Sequence, residues 1–273
     1  MATSRFPAAC IQMRVVADKA RNLELAEKLI QEAAADGARL VALPEMFFWR
    51  GPLAEHRAAA ESIDGPSIER LARLSARLGI TLVVGSILED PGDPAALPFN
   101  TMVVLGPAGE RLGVYRKIHL FDIEIPGQVR ERESERMQPG SVPVCIDTPV
   151  GRLGLSVCYD LRFPELYRAL VREGAEILLV PAAFTATTGA AHWEVLLRAR
   201  AIENQCWLLA PAQTGPVDSG PPVWGHSCIV DPWGEVVAVQ AEGEGIVQAP
   251  IDLEQLARVR RNLPCLEHAR VSA

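Results

Sequence analysis

The chain has 273 residues, of which 49% are hydrophobic and 22% are charged, so it can bury a packed core and does not have the composition of a disordered chain. Its formal net charge of -7 at pH 7 argues against nucleic acid as a partner, because phosphate backbones are bound by cationic surfaces. No signal-peptide core and no apolar run near the roughly 20 residues of a membrane span is found. The six cysteines form no CxxC pair, which favours free thiols in a cytoplasmic protein.

The predicted elements repeat the order helix, glycine, strand. Asn22 is the expected N-cap of the first helix, Ser67 begins the second, and Pro164 suits the first position of the third. Continuous apolar runs after the helices indicate strands that are covered on both faces. The four units are helix 22–37 with strand 39–43, helix 67–79 with strand 80–85, helix 164–174 with strand 177–180, and helix 193–204 with strand 206–209.

Two hairpins separate these units, one in each half of the chain. The first joins 101–105 to 111–115, and the second joins 228–230 to 235–239. Each half therefore predicts a mixed sheet with helices on its outer face, and the two sheets are expected to pack on each other in an α/β protein. No linker separates the halves, so we expect one domain over residues 1–273, with 122–139 as a long irregular functional loop.

Three separate segments place reactive side chains at the ends of strands. Glu45 follows a buried strand and a proline, and Lys117 follows the first hairpin, although either residue alone is more commonly a solvated charge. Cys158 ends an apolar strand at a turn before a helix, a geometry that exposes a nucleophile, although buried cysteines are usually inert. Ser156 lies two residues too early for a nucleophile elbow.

Other common site chemistries find no support in the sequence. The histidines are scattered without an HExxH pattern or paired cysteines, so no metal site is predicted. Neither GxGxxG nor GxxxxGK is present, so we expect no dinucleotide or nucleotide cofactor.

Taken in order along the chain, several short motifs resemble the nitrilase, or carbon-nitrogen hydrolase, superfamily. The motifs that carry the resemblance are Leu43-Pro44-Glu45, Tyr115-Arg116-Lys117, His119-Leu120-Phe121-Asp122, Val157-Cys158-Tyr159-Asp160, Arg162-Phe163-Pro164-Glu165, Ala191-His192-Trp193-Glu194, Trp224-Gly225-His226-Ser227 and Asp231-Pro232-Trp233-Gly234. The resemblance covers nearly the whole chain and implies a four-layer αββα sandwich of two mixed sheets.

The resemblance also implies a cofactor-free amidase with a Glu-Lys-Cys triad. It assigns Cys158 as nucleophile, Glu45 as general base and acid, Lys117 with the Tyr159 backbone N–H as oxyanion donors, and Glu133 as a second glutamate beside Lys117. We expect a neutral thiol whose proton passes to Glu45, and a lysine that its carboxylates keep charged. The further substrate-binding residues that it implies are Arg162, Phe121, Phe184 and Glu194.

Within the superfamily, 192–206 and 260–264 resemble the deaminated glutathione amidases, which release 2-oxoglutarate and cysteinylglycine. An omega-amidase of 2-oxo-acid amides, a nitrilase, and a non-catalytic binding protein are the alternatives. Segments 129–132 and 215–223 depart from the family pattern near its pocket. The resemblance further implies a homodimer or larger assembly, in which helices after Cys158, with Phe163, Leu166 and Tyr167, pack between subunits.

Overall fold

A computed structural model describes residues 4–127, 129–217 and 220–271 of the chain. Its strands are β1 Arg5–Gln12, β2 Leu40–Ala42, β3 Thr81–Glu89, β4 Phe99–Leu105, β5 Arg111–Arg116, β6 Asp122–Ile125, β7 Val129–Arg132, β8 Val144–Thr148, β9 Gly151–Leu155, β10 Ile177–Leu179, β11 Trp207–Ala210, β12 Thr214–Gly215, β13 Val223–Trp224, β14 Ser227–Val230, β15 Val236–Gln240 and β16 Gly245–Asp252. Its α-helices are α1 Lys19–Ala35, α2 His56–Ala59, α3 Pro66–Leu78, α4 Pro164–Arg172, α5 Ala186–Asn204 and α6 Leu253–Asn262.

Two mixed six-stranded sheets organise the molecule. The first has the order β16-β1-β2-β3-β4-β5 and the second has the order β15-β14-β11-β10-β9-β8. Both predicted hairpins form, as β4 with β5 and as β14 with β15. The expectation of one sheet per half of the chain is wrong at one strand, because β16, near the C-terminus, pairs antiparallel with β1 along its whole length.

The sheets form the two inner layers, and helices cover them from outside. Along β1, Phe6 and Ala8 belong to the core between the two sheets, whereas Ala9 and Ile11 pack with residues of α1 and α3 on the other face. This alternation is the two-residue period of a strand that is buried on both faces. Helices α4 and α5 cover the outer face of the second sheet, so the predicted αββα sandwich is confirmed.

Two helix starts differ from the prediction. The N-cap of α1 is Asp18, whose side chain accepts a hydrogen bond from the Arg21 N–H, while Asn22 lies inside the helix and is fully buried. The Asn22 side chain instead bonds the backbone of Val16 and Phe48. Helix α5 begins at Ala186 because Thr185 caps it, well before the predicted start at 193.

The segment 122–139 is more regular than predicted. Strands β6 and β7 pair as a short antiparallel hairpin, and a 3-10 helix over Glu133–Glu135 follows them. The Asp122 carboxylate accepts hydrogen bonds from the backbone and the hydroxyl of Ser134, which joins the hairpin to that helix. The sequence did not reveal this hairpin because β6 is only four residues long and β7 is charged at three of its four positions.

The exposed surfaces bear on two further expectations. Leu166 and Tyr167 of α4 were predicted to pack between subunits. Both are buried within this chain, so they are not available to a partner subunit. Apolar side chains that are exposed include Val195 and Ile202 on α5 and Trp233 after β14. Among the described residues, no helix is long and apolar enough to cross a membrane.

Candidate active site

The three candidate triad residues lie just beyond strand ends in two different sheets. Glu45 follows β2 and Lys117 follows β5 in the first sheet, while Cys158 follows β9 in the second. All three side chains are at most 8% exposed. The packing of one sheet on the other therefore brings together residues that are remote along the chain.

Close backbone packing shapes the two turns that carry Glu45 and Cys158. Met46, directly after Glu45, has a φ of 51°, and its N–H donates to the Ser86 hydroxyl. A Cβ at Gly85 would lie 1.9 Å from the Leu43 carbonyl oxygen, so only glycine permits this approach of β3 to the Glu45 turn. Cys158 itself has a φ of 49°, which is uncommon for a residue with a side chain and typical of functional turns.

Glu45, Lys117, Glu133 and Cys158 form a buried polar group that we call the reactive cluster. Lys117 Nζ lies 3.1 Å from Glu45 Oε1 and 2.8 Å from Glu133 Oε2. The Asn100 amide donates to Glu45 Oε1 at 2.9 Å and to Glu133 Oε1 at 3.3 Å. Both carboxylates are thus held by the same two donors.

The Cys158 thiol lies close enough to the Glu45 carboxylate for each group to shift the pKa of the other. Glu45 Oε2 accepts a hydrogen bond of 2.8 Å from the Ala183 N–H, and the Glu45 carbonyl accepts one of 2.7 Å from Gln213 Nε2. The Cys158 N–H donates to the Pro181 carbonyl. The loop that follows β10 therefore bonds both the Glu45 carboxylate and the backbone of Cys158.

The electrostatics of the cluster set its resting protonation. Burial and the adjacent Glu45 charge raise the pKa of Cys158 well above its usual value, so the thiol is neutral. Burial alone would raise the pKa of Glu45, but the Lys117 ammonium and the Cys158 hydrogen bond leave it below its usual value. Burial likewise opposes the charge of Lys117, but Glu133 and Glu45 raise its pKa, so the lysine stays protonated.

Asp160, which is fully buried, joins the lysine strand to the cysteine turn. Its carboxylate accepts hydrogen bonds from the Tyr115 hydroxyl at 2.6 Å and the His119 N–H at 3.0 Å, two residues before and two residues after Lys117. It also accepts one from the Val157 N–H at 2.8 Å, directly before Cys158. A single carboxylate thus sets the position of one sheet's edge against the other at the site.

The reactive cluster opens into a cavity of about 360 Å³. Tyr159, Phe121 and Phe184 line this cavity, and the rings of Phe121 and Tyr159 meet edge to face at 5.0 Å between centroids. Within the described part of the chain, the Tyr159 N–H donates to no protein acceptor, which leaves it available to a bound group. All three were predicted to contact the substrate, and all three line the cavity.

Two other predicted contact residues lie outside the cavity. Arg162 lies behind its wall, with the guanidinium over the rings of Tyr159 and Phe184 and 3.2 Å from His192 Nδ1. Glu194 is exposed on α5 and is 3.7 Å from Arg198. The expectation that Glu194 contacts the substrate is therefore not supported within this chain, because its helix turns that side chain to solvent.

Both segments that depart from the family pattern reach the cavity. Arg130 and Glu131 of β7 line it, and so does Gly220, whereas Asp218 and Ser219 lie outside the described residues. The hairpin that was predicted as irregular is thus one wall of the site.

Sequence reasoning missed several residues that build the site. Asn100 is a polar residue inside the buried strand β4, and that contrast with its apolar neighbours was the available signal. Arg50, His56 and Arg136 line the cavity from loops and short helices, where no periodicity distinguishes them from surface charges.

The other candidate nucleophiles, Ser156, Cys206 and Cys228, are buried in the protein core and have structural roles. The Ser156 hydroxyl is buried and bonded to the Tyr167 hydroxyl and the Leu179 carbonyl, each at 2.7 Å. Cys206 and Cys228 are buried outside the cavity, and burial raises the pKa of each thiol to about 12. In residues 4–127, 129–217 and 220–271, no group of three His, Cys, Asp or Glu side chains is arranged to hold a metal ion.

Comparison with known proteins gives relatives over nearly the whole chain. An omega-amidase NIT2 of Xenopus tropicalis is 42% identical over 267 residues, which are 98% of this chain and 96% of that protein. A deaminated glutathione amidase of Bos taurus is 45% identical over 267 residues, which are 96% of this chain and 81% of that protein.

The fold is shared with proteins of known structure. The crystal structure of the C. elegans NitFhit protein matches with a TM-score of 0.92 and 43% identity, covering 99% of this chain and 66% of that one. The sequence profile of the Carbon-nitrogen hydrolase family matches residues 7–261. This chain therefore belongs to the carbon-nitrogen hydrolase family.

Proposed function

We propose that this chain is a cofactor-free amidase that cleaves the non-peptide C–N bond of a small amide through a Cys158 thioester. The observation that carries the proposal is a neutral thiol at the wall of the same cavity as a carboxylate that an ammonium group keeps ionised. An amide is a poor electrophile, so its hydrolysis needs a nucleophile, a proton acceptor and a stabilised oxyanion.

Each side chain has one part in the acylation step. Cys158 Sγ forms a bond to the amide carbon while its proton passes to Glu45, and the carbonyl oxygen becomes an oxyanion. Lys117 Nζ and the Tyr159 N–H are the donors for that oxyanion. When the tetrahedral adduct collapses, the C–N bond breaks and the departing amine takes the proton from Glu45.

Hydrolysis of the thioester reverses these roles with water. Glu45 accepts a proton from the water that attacks the thioester carbon, and the second adduct breaks its C–S bond to release an acid. The proton on Glu45 then returns to the Cys158 sulfur, so that the enzyme is regenerated. Glu133 takes no proton in this scheme, and its charge holds Lys117 in place and ionised.

Deaminated glutathione is the substrate that we propose, with release of 2-oxoglutarate and cysteinylglycine. The support is the bovine relative of that name, at 45% identity. An omega-amidase that releases ammonia from a 2-oxo-acid amide is the second candidate, because the Xenopus relative of that name matches 98% of this chain.

A panel of amides and nitriles, scored for amine and acid release, tests the proposal. We expect turnover of amides by the wild type and none by Cys158→Ala, with Cys228→Ala as a matched control that keeps its activity. A trapped acyl group of the expected mass on Cys158 would support the thioester. Full turnover in Cys158→Ala, or ligand binding without any turnover in the wild type, would refute the amidase mechanism.

We further propose a cytoplasmic homodimer or larger assembly. All six thiols are free, which fits a reducing compartment. The exposed Val195, Ile202 and Trp233 provide apolar surface that a second copy would cover. Light scattering on the purified chain tests the assembly, and a monomer at all concentrations would contradict it.

A further inference from the structure

The charges around the cavity differ in sign from those of the chain as a whole. Among the described residues, the cavity is lined by four cationic side chains, Lys117, Arg50, Arg130 and Arg136, and by three carboxylates, although the chain carries a net charge of -7. Lys117 is paired with Glu45 and Glu133 inside the reactive cluster. The positive charges of the three arginines that line the cavity are not accounted for by the reactive cluster.

Arg50 lies five residues beyond Glu45 and borders the same cavity. Its side chain donates to the neutral Gln213 amide oxygen at 3.2 Å, and in the described part of the chain no carboxylate lies within ion-pair distance of it. Burial lowers the pKa of Arg50, against the charges of Glu45 and Glu131. A guanidinium in this setting favours an anionic ligand, because its charge is only partly compensated by the protein.

Arg136 and His56 complete what we call the cationic corner, which consists of Arg50, His56 and Arg136. Arg136 Nη2 bonds Glu131 at 2.9 Å, but Arg136 Nε and His56 Nδ1 are buried without a hydrogen-bond partner among the residues that the structure describes. Burial, together with the nearby Arg136 and Arg50 charges, lowers the pKa of His56 to about 4, so its ring is neutral. Buried polar atoms are seldom left unpaired, so the corner holds polar and charged groups that the described residues do not fully satisfy.

We propose that Arg50 and Arg136 bind a carboxylate of the substrate. They would thus select amides whose acyl chain carries an ionised carboxyl group in addition to the scissile amide. This inference rests on the amidase function proposed above, because it assigns the group that orients the scissile amide toward Cys158. A carboxylate suits the corner better than a phosphate, since Glu131 and Glu45 would repel a second negative charge. The arginine fork matches the two oxygens of one carboxylate.

A pair of amides with equal carbon chains isolates the contribution of the carboxylate. Glutaramate carries it, and pentanamide replaces it by a methyl group. We expect Arg136→Gln to lower kcat/KM for glutaramate by about 10- to 100-fold, as expected for loss of a charged hydrogen bond, and to change that for pentanamide less than about threefold. Arg50→Gln should lower kcat/KM for glutaramate by at least as much. Arg73→Gln, on the exposed face of α3, is the control for loss of one positive charge and should leave both values unchanged.

Arg50→Gln also removes the bond to Gln213, which holds the Glu45 carbonyl, so Arg50→Lys and Arg136→Gln separate the two effects. Equal losses for both amides, or no loss for either, would overturn the carboxylate site. Calorimetric binding of glutaramate to Cys158→Ala, with and without Arg136→Gln, tests the site without turnover. Tight binding that Arg136→Gln weakens, in a chain that hydrolyses no amide, would uphold the site and refute the amidase.

Discussion

The reactive cluster and the cationic corner border one cavity, yet they satisfy their charges in opposite ways. In the cluster, the ammonium of Lys117 is paired with two carboxylates, and one of these, Glu45, raises the pKa of the Cys158 thiol. In the corner, Arg136 Nε and His56 Nδ1 are buried and bond no other residue of the described ranges. The chemistry is thus preorganised before substrate arrives, whereas the recognition site is complete only when an anion is bound.

Glu45→Gln gives the largest effect on the cluster. The amide keeps the shape of the carboxylate but accepts no proton from Cys158, so we expect kcat/KM to fall by about 10²- to 10⁴-fold for every amide. Steady-state rates measure this loss, and circular dichroism checks the fold. Glu24→Gln, on the exposed side of α1, should match the wild type. Activity of Glu45→Gln within threefold of the wild type would assign the base elsewhere.

Lys117→Met tests whether the cluster is also a structural unit. The substitution leaves Glu45 and Glu133 buried without their cation, so we expect the free energy of unfolding to fall by about 3 to 5 kcal/mol in urea titrations. Adding Glu133→Gln should recover part of that loss, because one buried charge is removed. Lys28→Met, on the solvent side of α1, should show no measurable change. Equal stability of Lys117→Met and the wild type would mean that the carboxylates are solvated.

Asp160→Asn gives the smallest effect of the three. The new amide NH2 faces the backbone N–H of either His119 or Val157, so one of those two bonds is replaced by a contact between two donors and the Cys158 turn shifts relative to Lys117. We expect kcat to fall about tenfold while KM changes little, since the cationic corner is untouched. Asp231→Asn breaks a comparable set of bonds in the β14–β15 turn and should leave kcat unchanged. A loss in KM alone would contradict a positioning role for Asp160.

The sequence predicted the parts of the site that depend on local pattern. The strand before Cys158 and the helix after it are read from an apolar run and from Pro164, and both are found. The pairing of Glu45 with Cys158 and Lys117 could be expected only from the resemblance, because it depends on how two sheets pack. The Asp160 bonds likewise join residues 41 and 45 positions apart, which no periodicity connects.

The parts that were missed have physical reasons. Asn22 was a plausible cap by residue type, but Asp18 provides the cap and leaves Asn22 to bond a neighbouring loop. Strand β6 alternates two isoleucines with charged residues, but β7 is charged at three of its four positions, so the sequence shows no second apolar strand to pair with it. Arg50 and Arg136 differ from surface arginines only in their surroundings, which the sequence does not contain.

The pairing of β16 with β1 has a consequence for synthesis on the ribosome. Until residues 245–252 have emerged, β1 is an open sheet edge with unpaired backbone groups, even though β2 to β5 are already complete. Such an edge invites pairing with another nascent chain. Strand β16 therefore covers the open edge of the first sheet. A premature stop before Gly245 is expected to yield aggregates and not a shortened enzyme.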